Sequence, residues 1–169
     1  GQAPTVFRDG FSSINDIAGR PVIDGNLVFA ISHAGRLVAI DSRTGERRWT
    51  RDLAGVQTPW VAGDYLYVVG MDGVLYCFEK TTGRVAWSTY LGRWQDEEAR
   101  EDTVEWSGPL MVNGHLVLTS TDGRIAVVAA SSGALEQSYD TGVGSIIAPI
   151  AAAGALYILN DDGDLTAYR

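Results

Sequence analysis

Few side chains in this 169-residue chain have the types and spacing that acid–base, metal or thiol chemistry needs. His33 and His115 are the only histidines and therefore the candidates for proton transfer near neutral pH. Cys77 is the single cysteine, which excludes an intramolecular disulfide and any site with several cysteine ligands. The segment Asn160-Asp-Asp-Gly-Asp164 gathers oxygen ligands of the kind that calcium prefers, but it lacks the length and bidentate glutamate of an EF-hand loop. Whether these groups act together depends on the elements that hold them.

An internal repeat sets the position of each of these residues. Four prolines are each followed fourteen residues later by a glycine, and the pairs are Pro21 with Gly35, Pro59 with Gly73, Pro109 with Gly123 and Pro149 with Gly163. Three of these glycines follow an aspartate, and Asp-Gly is a strong signal for a tight hairpin turn. Three repeats carry a further glycine ten residues later: Gly45, Gly83 and Gly133. We therefore expect repeats at about 19–55, 56–91, 106–141 and 146–169, with an insertion at 92–105.

Short apolar segments between the glycines predict strands. Tyr65–Val69 and Leu75–Phe78, for example, are rich in β-branched and aromatic residues and too short for helices. Four such strands in each repeat of about 40 residues predict an all-β chain that forms a β-propeller of four-stranded antiparallel blades. About four blades fit the chain, so residues 1–169 are expected to form a single propeller segment.

The fourth repeat stops at Arg169, after its third strand, which leaves two ways to complete a ring. A strand at Thr5–Phe7 would close a ring of four blades. Alternatively, the chain is half of an eight-bladed ring, and a homodimer completes it, because unpaired sheet edges favour self-association.

The repeat also indicates that the candidate chemical groups are structural. His33 and His115 fall in columns where other repeats carry unrelated residues, which is typical of solvated loop positions. Cys77 lies in a column that is small in every repeat, so we expect a buried packing residue. Asp162-Gly163 occupies the place of the repeated turn. We therefore predict no catalytic residues, no cofactor-binding residues, no metal site and no cofactor.

Composition narrows the functional classes further. With 46% apolar and 20% charged residues, the chain is expected to bury a core rather than to remain disordered. The formal net charge is −8 and no basic patch is visible, so we expect no nucleic-acid binding. No apolar run approaches the roughly 18 residues of a membrane span.

Two segments carry a resemblance to a known repeat. Asp41-Ser-Arg-Thr-Gly45-Glu-Arg-Arg-Trp49 and Glu79-Lys-Thr-Thr-Gly83-Arg-Val-Ala-Trp87 are similar to the tryptophan-docking repeat of quinoprotein-type propellers. A third copy keeps Gly133 but has Gln137 in place of the tryptophan. From about residue 14 to 169, the order of segments resembles the C-terminal half of the BamB family, the propeller lipoproteins of the outer-membrane β-barrel assembly machinery. The resemblance implies that the structural repeat residues are Trp49, Trp87, Gly45, Gly83 and Gly133.

The resemblance to this family also implies a function. It implies a non-enzymatic scaffold in the periplasm of a Gram-negative bacterium, lipid-anchored to the inner face of the outer membrane in the full-length protein. The implied partner is the barrel-inserting subunit, bound through its periplasmic domains. In the family this contact uses two acidic loop residues; Asp16 matches the first, and Ala18 stands in place of the second. Two alternatives stay open: a fragment of a pyrroloquinoline-quinone-dependent oxidoreductase, and a ligand-sensing propeller that uses exposed Trp60, Trp94 or Trp106.

The insertion at 92–105 is the most distinctive segment of the chain. It carries six acidic residues: Asp96, Glu97, Glu98, Glu101, Asp102 and Glu105. Asp96 and Arg100 stand at i, i+4 spacing, so we expect a short helix that Trp94 anchors to the propeller rim. The insertion is either a solvated connection or a partner-contact loop, since binding residues favour loops on rigid scaffolds. In the second case the partner-binding residues are Asp16, Trp94, Asp96, Glu97, Glu98 and Arg100.

Overall fold

The computed structural model describes residues 19–169, and all regular structure in this range is β-strand. Thr5–Phe7 and Asp16 lie outside the described residues, so the closing strand and the acidic contact at Asp16 stay predictions. Within residues 19–169, no helix is long and apolar enough to cross a membrane.

The strands form four antiparallel sheets in chain order and one separate hairpin. The first sheet contains β1 (Val22–Asp24), β2 (Leu27–Ser32), β3 (Arg36–Asp41) and β4 (Arg47–Asp52). The second contains β5 (Trp60–Ala62), β6 (Tyr65–Val69), β7 (Val74–Glu79) and β8 (Val85–Tyr90). The hairpin, β9 (Trp94–Asp96) and β10 (Glu101–Thr103), precedes the third sheet: β11 (Trp106–Val112), β12 (His115–Ser120), β13 (Arg124–Ala129) and β14 (Leu135–Asp140). The fourth contains β15 (Ile150–Ala152), β16 (Ala155–Leu159) and β17 (Leu165–Tyr168). We call these sheets blades 1 to 4; they confirm the predicted all-β propeller architecture.

The tight turns between the second and third strands repeat from blade to blade. In every blade the turn glycine donates its backbone N–H to the carbonyl three residues earlier, at 3.1–3.3 Å. The φ angles of these glycines lie between 75° and 97°, a region that glycine enters at little cost. The four residues are Gly35, Gly73, Gly123 and Gly163. The predicted hairpin turns at the Asp-Gly pairs are confirmed.

Tryptophan side chains join blade 1 to blade 2 and blade 2 to blade 3. Trp49 is 7% exposed, packs on Gly83 of the next blade and donates its indole N–H to the Lys80 carbonyl at 2.9 Å. Trp87 packs in the same way on Gly133 and donates to a backbone carbonyl of that loop at 3.0 Å. A Cβ atom on either glycine would lie 2.5–2.6 Å from an indole carbon, so only glycine fits without a shift.

A second contact accompanies each tryptophan, two residues further along the strand. Arg51 donates from Nε to the Gly83 carbonyl at 2.6 Å, and Thr89 donates its hydroxyl to the Gly133 carbonyl. Arginine and threonine are unrelated residue types, so this pair of contacts cannot be recognised from the repeat pattern.

The two rims of the propeller carry different connections. Each connection from one blade to the next begins with a backbone N–H that bonds to the turn glycine carbonyl at 2.8–3.1 Å; the donor–acceptor pairs are Leu53 with Gly35, Leu91 with Gly73 and Thr141 with Gly123. The glycine turns and the interblade connections therefore lie at one edge. We call it the insertion rim, because residues 92–105 belong to it, and we call the edge at the turns after β1 and β3 the opposite rim.

The interblade interfaces differ in size. A large cluster of buried side chains, including Leu75, Cys77 and Leu116, fills the space between blades 2 and 3. Between blades 3 and 4 the buried cluster is smaller and consists of Val117, Ile125 and Ile158. Blade 3 also lacks a docking tryptophan: Gln137 lies opposite Val127 in the sheet and is exposed.

Blade 4 exposes side chains at positions that are covered in blade 2. Trp60, Val69 and Leu75 of blade 2 pack into the interface with blade 3. The matching residues of blade 4 are Ile150, Leu159 and Leu165, and these residues are 60%, 36% and 66% exposed. Blade 4 thus presents an apolar face of the interblade type to solvent.

Candidate partner-binding surface

The insertion forms a β-hairpin, so the prediction of a short helix is wrong. Asp96 lies opposite Glu101, and Trp94 lies opposite Thr103. At the tip a single turn forms, in which the Arg100 N–H donates to the Asp96 carbonyl at 2.8 Å. Arg100 has a φ of 57°, and this left-handed conformation ends the turn after one bond and reverses the chain. The Asp96 carboxylate accepts two backbone N–H groups of the same turn at 2.9 and 3.0 Å.

Glu97 fixes the hairpin to blade 2. Both of its carboxylate oxygens lie 2.7 Å from the Tyr90 hydroxyl, which donates to them. The backbone N–H groups of Arg93 and Trp94 also donate to Oε1, at 3.0 and 3.3 Å. The Tyr90 hydrogen bond, with support from these N–H groups, lowers the pKa of Glu97, and the carboxylate in turn raises the pKa of Tyr90. Glu97 is therefore engaged within the chain.

Buried side chains hold the foot of the hairpin. Leu91, Val104 and Trp106 are 6%, 2% and 5% exposed and belong to the cluster between blades 2 and 3. Trp106 donates its indole N–H to the Gly92 carbonyl at 2.7 Å, and the Arg124 guanidinium lies 5.1 Å from its ring centroid. The expectation that Trp106 is an exposed ligand-binding residue is wrong, because this side chain anchors the hairpin.

The other two candidate tryptophans are partly buried. The Arg93 guanidinium lies 5.0 Å from the Trp94 ring centroid and covers one side of it. Trp60 packs against the cluster between blades 2 and 3. Val104 and Trp106 are the buried side chains at the foot of the hairpin, and the anchoring role of Trp94 stays a prediction.

Exposed carboxylates surround the hairpin. They belong to Asp96, Glu98, Glu101, Asp102 and Glu105. The ion pairs found within residues 19–169 involve other acidic groups, such as Asp41 with Arg48 and Glu79 with Arg84 near the opposite rim. The insertion rim is therefore negatively charged where the hairpin projects from it.

A cleft of about 150 Å³ opens at the foot of the hairpin. Its walls come from the turns of blades 1 and 2, from the connection at 56–57 and from residues 103–106. Among its lining residues, Val69 and Trp106 are buried, whereas Met71 is 38% exposed. This cleft could not be found from the sequence, because its walls come from several segments that are distant along the chain.

The remaining chemical groups are dispersed. His33 is exposed in a turn, and His115 begins β12 with its Nε2 atom 2.9 Å from a glutamate carboxylate. Cys77 is 1% exposed, and burial raises the pKa of its thiol to about 11, as expected for a packing residue. The Asn160 side-chain oxygen accepts the Asp164 N–H at 2.7 Å within the turn. In the described part of the chain, no group of three or more His, Cys, Asp or Glu side chains is placed to hold a metal ion.

Comparison with known sequences identifies the family. The sequence profile described as outer membrane protein assembly factor BamB matches residues 5–89. The chain belongs to the BamB family. The outer membrane protein assembly factor BamB of Xanthomonas campestris pv. campestris is 28% identical over 163 residues, which cover 96% of this chain and 38% of that protein. This chain thus spans about two fifths of the length of that relative.

Solved structures show the same fold. BamB from Moraxella catarrhalis aligns with a TM-score of 0.74 and 19% identity, over 89% of this chain and 44% of that one. Quinohemoprotein alcohol dehydrogenase from Comamonas testosteroni aligns with a TM-score of 0.71 and 16% identity, over 88% and 29% of the two chains. At these identities the similarity shows the fold alone, and an assembly factor and an oxidoreductase both have it.

Proposed function

We propose that this chain is a docking scaffold of the BamB type, with no catalytic activity of its own, that supports assembly of outer-membrane proteins. The observation that carries this proposal is the family match over residues 5–89, together with a relative that is named an assembly factor. The partner is the barrel-inserting subunit, which is bound through its periplasmic domains. The protein then acts in the periplasm, lipid-anchored to the inner face of the outer membrane in its full-length form.

The hairpin on the insertion rim is the contact surface that we assign within the described residues. Glu98 and Arg100 are exposed at its tip, and Trp94 flanks its foot. Asp96 and Glu97 shape the hairpin through the hydrogen bonds described above. Because the hairpin is already ordered, binding would cost less conformational entropy than ordering a flexible loop. Asp16 keeps its proposed role in the same contact.

Binding to the purified periplasmic domains of the barrel-inserting subunit of Xanthomonas campestris tests this proposal. We expect saturable binding of the chain, and about tenfold weaker binding after Glu98→Lys with Glu101→Lys, because the charge at the interface is reversed. Glu46→Lys, an exposed glutamate on the opposite rim, is the matched control. A chain that does not bind these domains contradicts the proposed function. Equal losses in the hairpin and control variants contradict the assigned surface.

We also propose that a second copy of the chain covers the free face of blade 4 in a homodimer that completes an eight-bladed ring. The exposure of Ile150 and Leu165, at positions that are covered in blade 2, supports this pairing. Light scattering should then give a mass of twice the 18.1 kDa of one chain. The Leu165→Asp variant should have the mass of a single chain. Val85→Asp, which changes an apolar residue that is 51% exposed on β8, should leave the dimer intact. A mass of one chain at every concentration contradicts the dimer.

A quinone-dependent oxidoreductase is the second candidate, because a quinohemoprotein alcohol dehydrogenase shares the blade fold. Its test is a thermal shift on addition of pyrroloquinoline quinone with calcium. We expect no change in Tm under the scaffold proposal. A rise in Tm that needs both additions would favour the oxidoreductase.

A further inference from the structure

The cleft at the foot of the hairpin has apolar walls that are open to solvent on one side. Val69 and Val104 are 2% exposed, while Met71 is 38% exposed. A cavity of about 150 Å³ is large enough for a group the size of benzene, and hence for one large apolar side chain. Filling it would remove the exposed part of Met71 from water.

The wall formed by Trp106 is fixed before any ligand arrives. Its indole N–H is bonded to the Gly92 carbonyl, and Arg124 covers the ring. The two ends of the hairpin are also joined, because the Val104 N–H donates to the Arg93 carbonyl at 2.7 Å. A preformed wall lowers the entropy cost of binding, so even a single side chain can contribute measurable affinity.

The charges around the cleft favour a basic ligand. Glu105 lines the cleft and is exposed, and the exposed carboxylates of the adjacent hairpin include Glu101 and Asp102. The cationic or titratable groups in the lining are Arg93, whose guanidinium lies over Trp94, and His33. Residues 93–105 carry six acidic side chains against two arginines, Arg93 and Arg100, so the hairpin beside the cleft has a net negative charge. A ligand with lysine or arginine beside its apolar group would therefore be attracted.

We propose that this cleft anchors one leucine-sized side chain of an extended partner segment that carries basic residues on both sides of it. The inference rests on the proposed docking function and names the chemistry that the partner presents. The apolar side chain fills the space between Met71 and Trp106. The flanking basic residues lie along Glu105 and the hairpin carboxylates.

Calorimetric titration with short synthetic peptides tests the proposal. The first peptide has a central leucine between pairs of lysines, the second has alanine in its place, and the third keeps leucine but has glutamates as flanks. We expect the second peptide to bind at least tenfold more weakly, because much less apolar surface is buried. The third should not bind measurably, and raising NaCl from 50 to 500 mM should weaken the first at least tenfold. Equal affinities for the leucine and alanine peptides, or no binding of the leucine peptide at 1 mM, would overturn the proposal.

Variants of the chain locate the binding. Met71→Asp and Glu105→Lys should each weaken the leucine peptide about tenfold, because the first places a charge in the apolar space and the second reverses the charge beside it. Val85→Asp and Glu46→Lys make the same changes at exposed sites away from the cleft and should stay within twofold of the unchanged chain. A loss that is equal in test and control variants would overturn the assignment to the cleft.

The same variants separate this inference from the proposed function. If the periplasmic domains bind the unchanged chain and the Met71→Asp variant equally well, the docking function stands and the cleft is not its anchor. If the leucine peptide binds in the cleft but the domains do not bind, the anchor stands and the named partner is wrong.

Discussion

Replacing Gly83 by alanine tests how tightly Trp49 holds two blades together. The added Cβ atom would lie 2.6 Å from an indole carbon of Trp49, closer than such atoms approach in real structures. Gly83 also has a φ of 67°, so alanine would carry a backbone cost as well. Gly63 provides a matched control, because it has a φ of 56° but no atom within 4 Å of the Cβ position.

The backbone cost of alanine at a positive φ and the cost of its overlap with Trp49 can be measured separately. Gly63→Ala should lower the free energy of unfolding by about 1–2 kcal/mol, the cost of left-handed backbone for a residue with a Cβ atom. Gly83→Ala should cost about 1–3 kcal/mol more, since the interface is overpacked as well. In a Trp49→Ala background the ring is gone, so Gly83→Ala should there cost no more than Gly63→Ala does.

Urea unfolding of the four proteins of this double-mutant cycle measures the coupling between the two residues. Trp49→Ala alone should cost about 3–5 kcal/mol, so all four proteins are measured in the same stabilising osmolyte. We expect a coupling energy of about 1–3 kcal/mol between Trp49 and Gly83. Additive effects, or equal costs for Gly83→Ala and Gly63→Ala, would refute the inference that tryptophan docking leaves room only for glycine.

Three further predictions concern single side chains. The Arg48 hydrogen bond and the backbone N–H groups of the 41–45 turn hold the pKa of Asp41 well below its ordinary value of 3.8. The ionised carboxylate therefore stabilises the folded chain above pH 4, and this stabilisation is lost as the pH falls below 4. The urea midpoint of Asp41→Asn should therefore fall less than that of the unchanged chain between pH 5 and pH 2, and an equal fall would contradict this. Cys77, with its buried thiol and a pKa raised to about 11, should react with a thiol reagent at pH 8 only as fast as the chain unfolds; reaction independent of urea would disprove its burial. Glu97→Gln weakens the contact with Tyr90, so trypsin should cleave after Arg100 faster than in the unchanged chain, with Glu98→Gln as the control.

The blade architecture could be predicted from the sequence because its determinants are local. The turn at Gly73, for example, needs a positive φ and a sharp reversal, which Asp-Gly encodes in two adjacent residues. The turns at Gly45 and Gly83 are local in the same way and join the third and fourth strands, so Trp87 lies opposite Cys77 as Trp49 lies opposite Ala39. The same turn residues recur at the same spacing in each repeat, so the blade pattern can be recognised without any knowledge of tertiary contacts.

The insertion could not be predicted in the same way, because its conformation depends on contacts made outside it. Residues 96–101 are rich in good helix formers, which favoured a helix. Two tertiary constraints override that preference: Val104 and Trp106 are buried beside the start of the insertion, and Glu97 bonds to Tyr90 on β8. The two ends of the insertion are thus held close together. A hairpin brings its ends together, whereas a helix of the same length would separate them.

The smaller interface between blades 3 and 4 has a consequence for how the chain opens. Since each blade contacts only its neighbours, the stability of a blade depends chiefly on the interfaces beside it. Blade 4 is held by the Val117, Ile125 and Ile158 cluster without a docking tryptophan, so it can detach while the larger core around Leu75 stays closed. In the monomer, backbone amides of β16 should accordingly exchange with deuterium through a local opening of low free energy, whereas those of β7 should exchange only when the whole chain unfolds. In the monomer, blade 4 is then a separate cooperative unit.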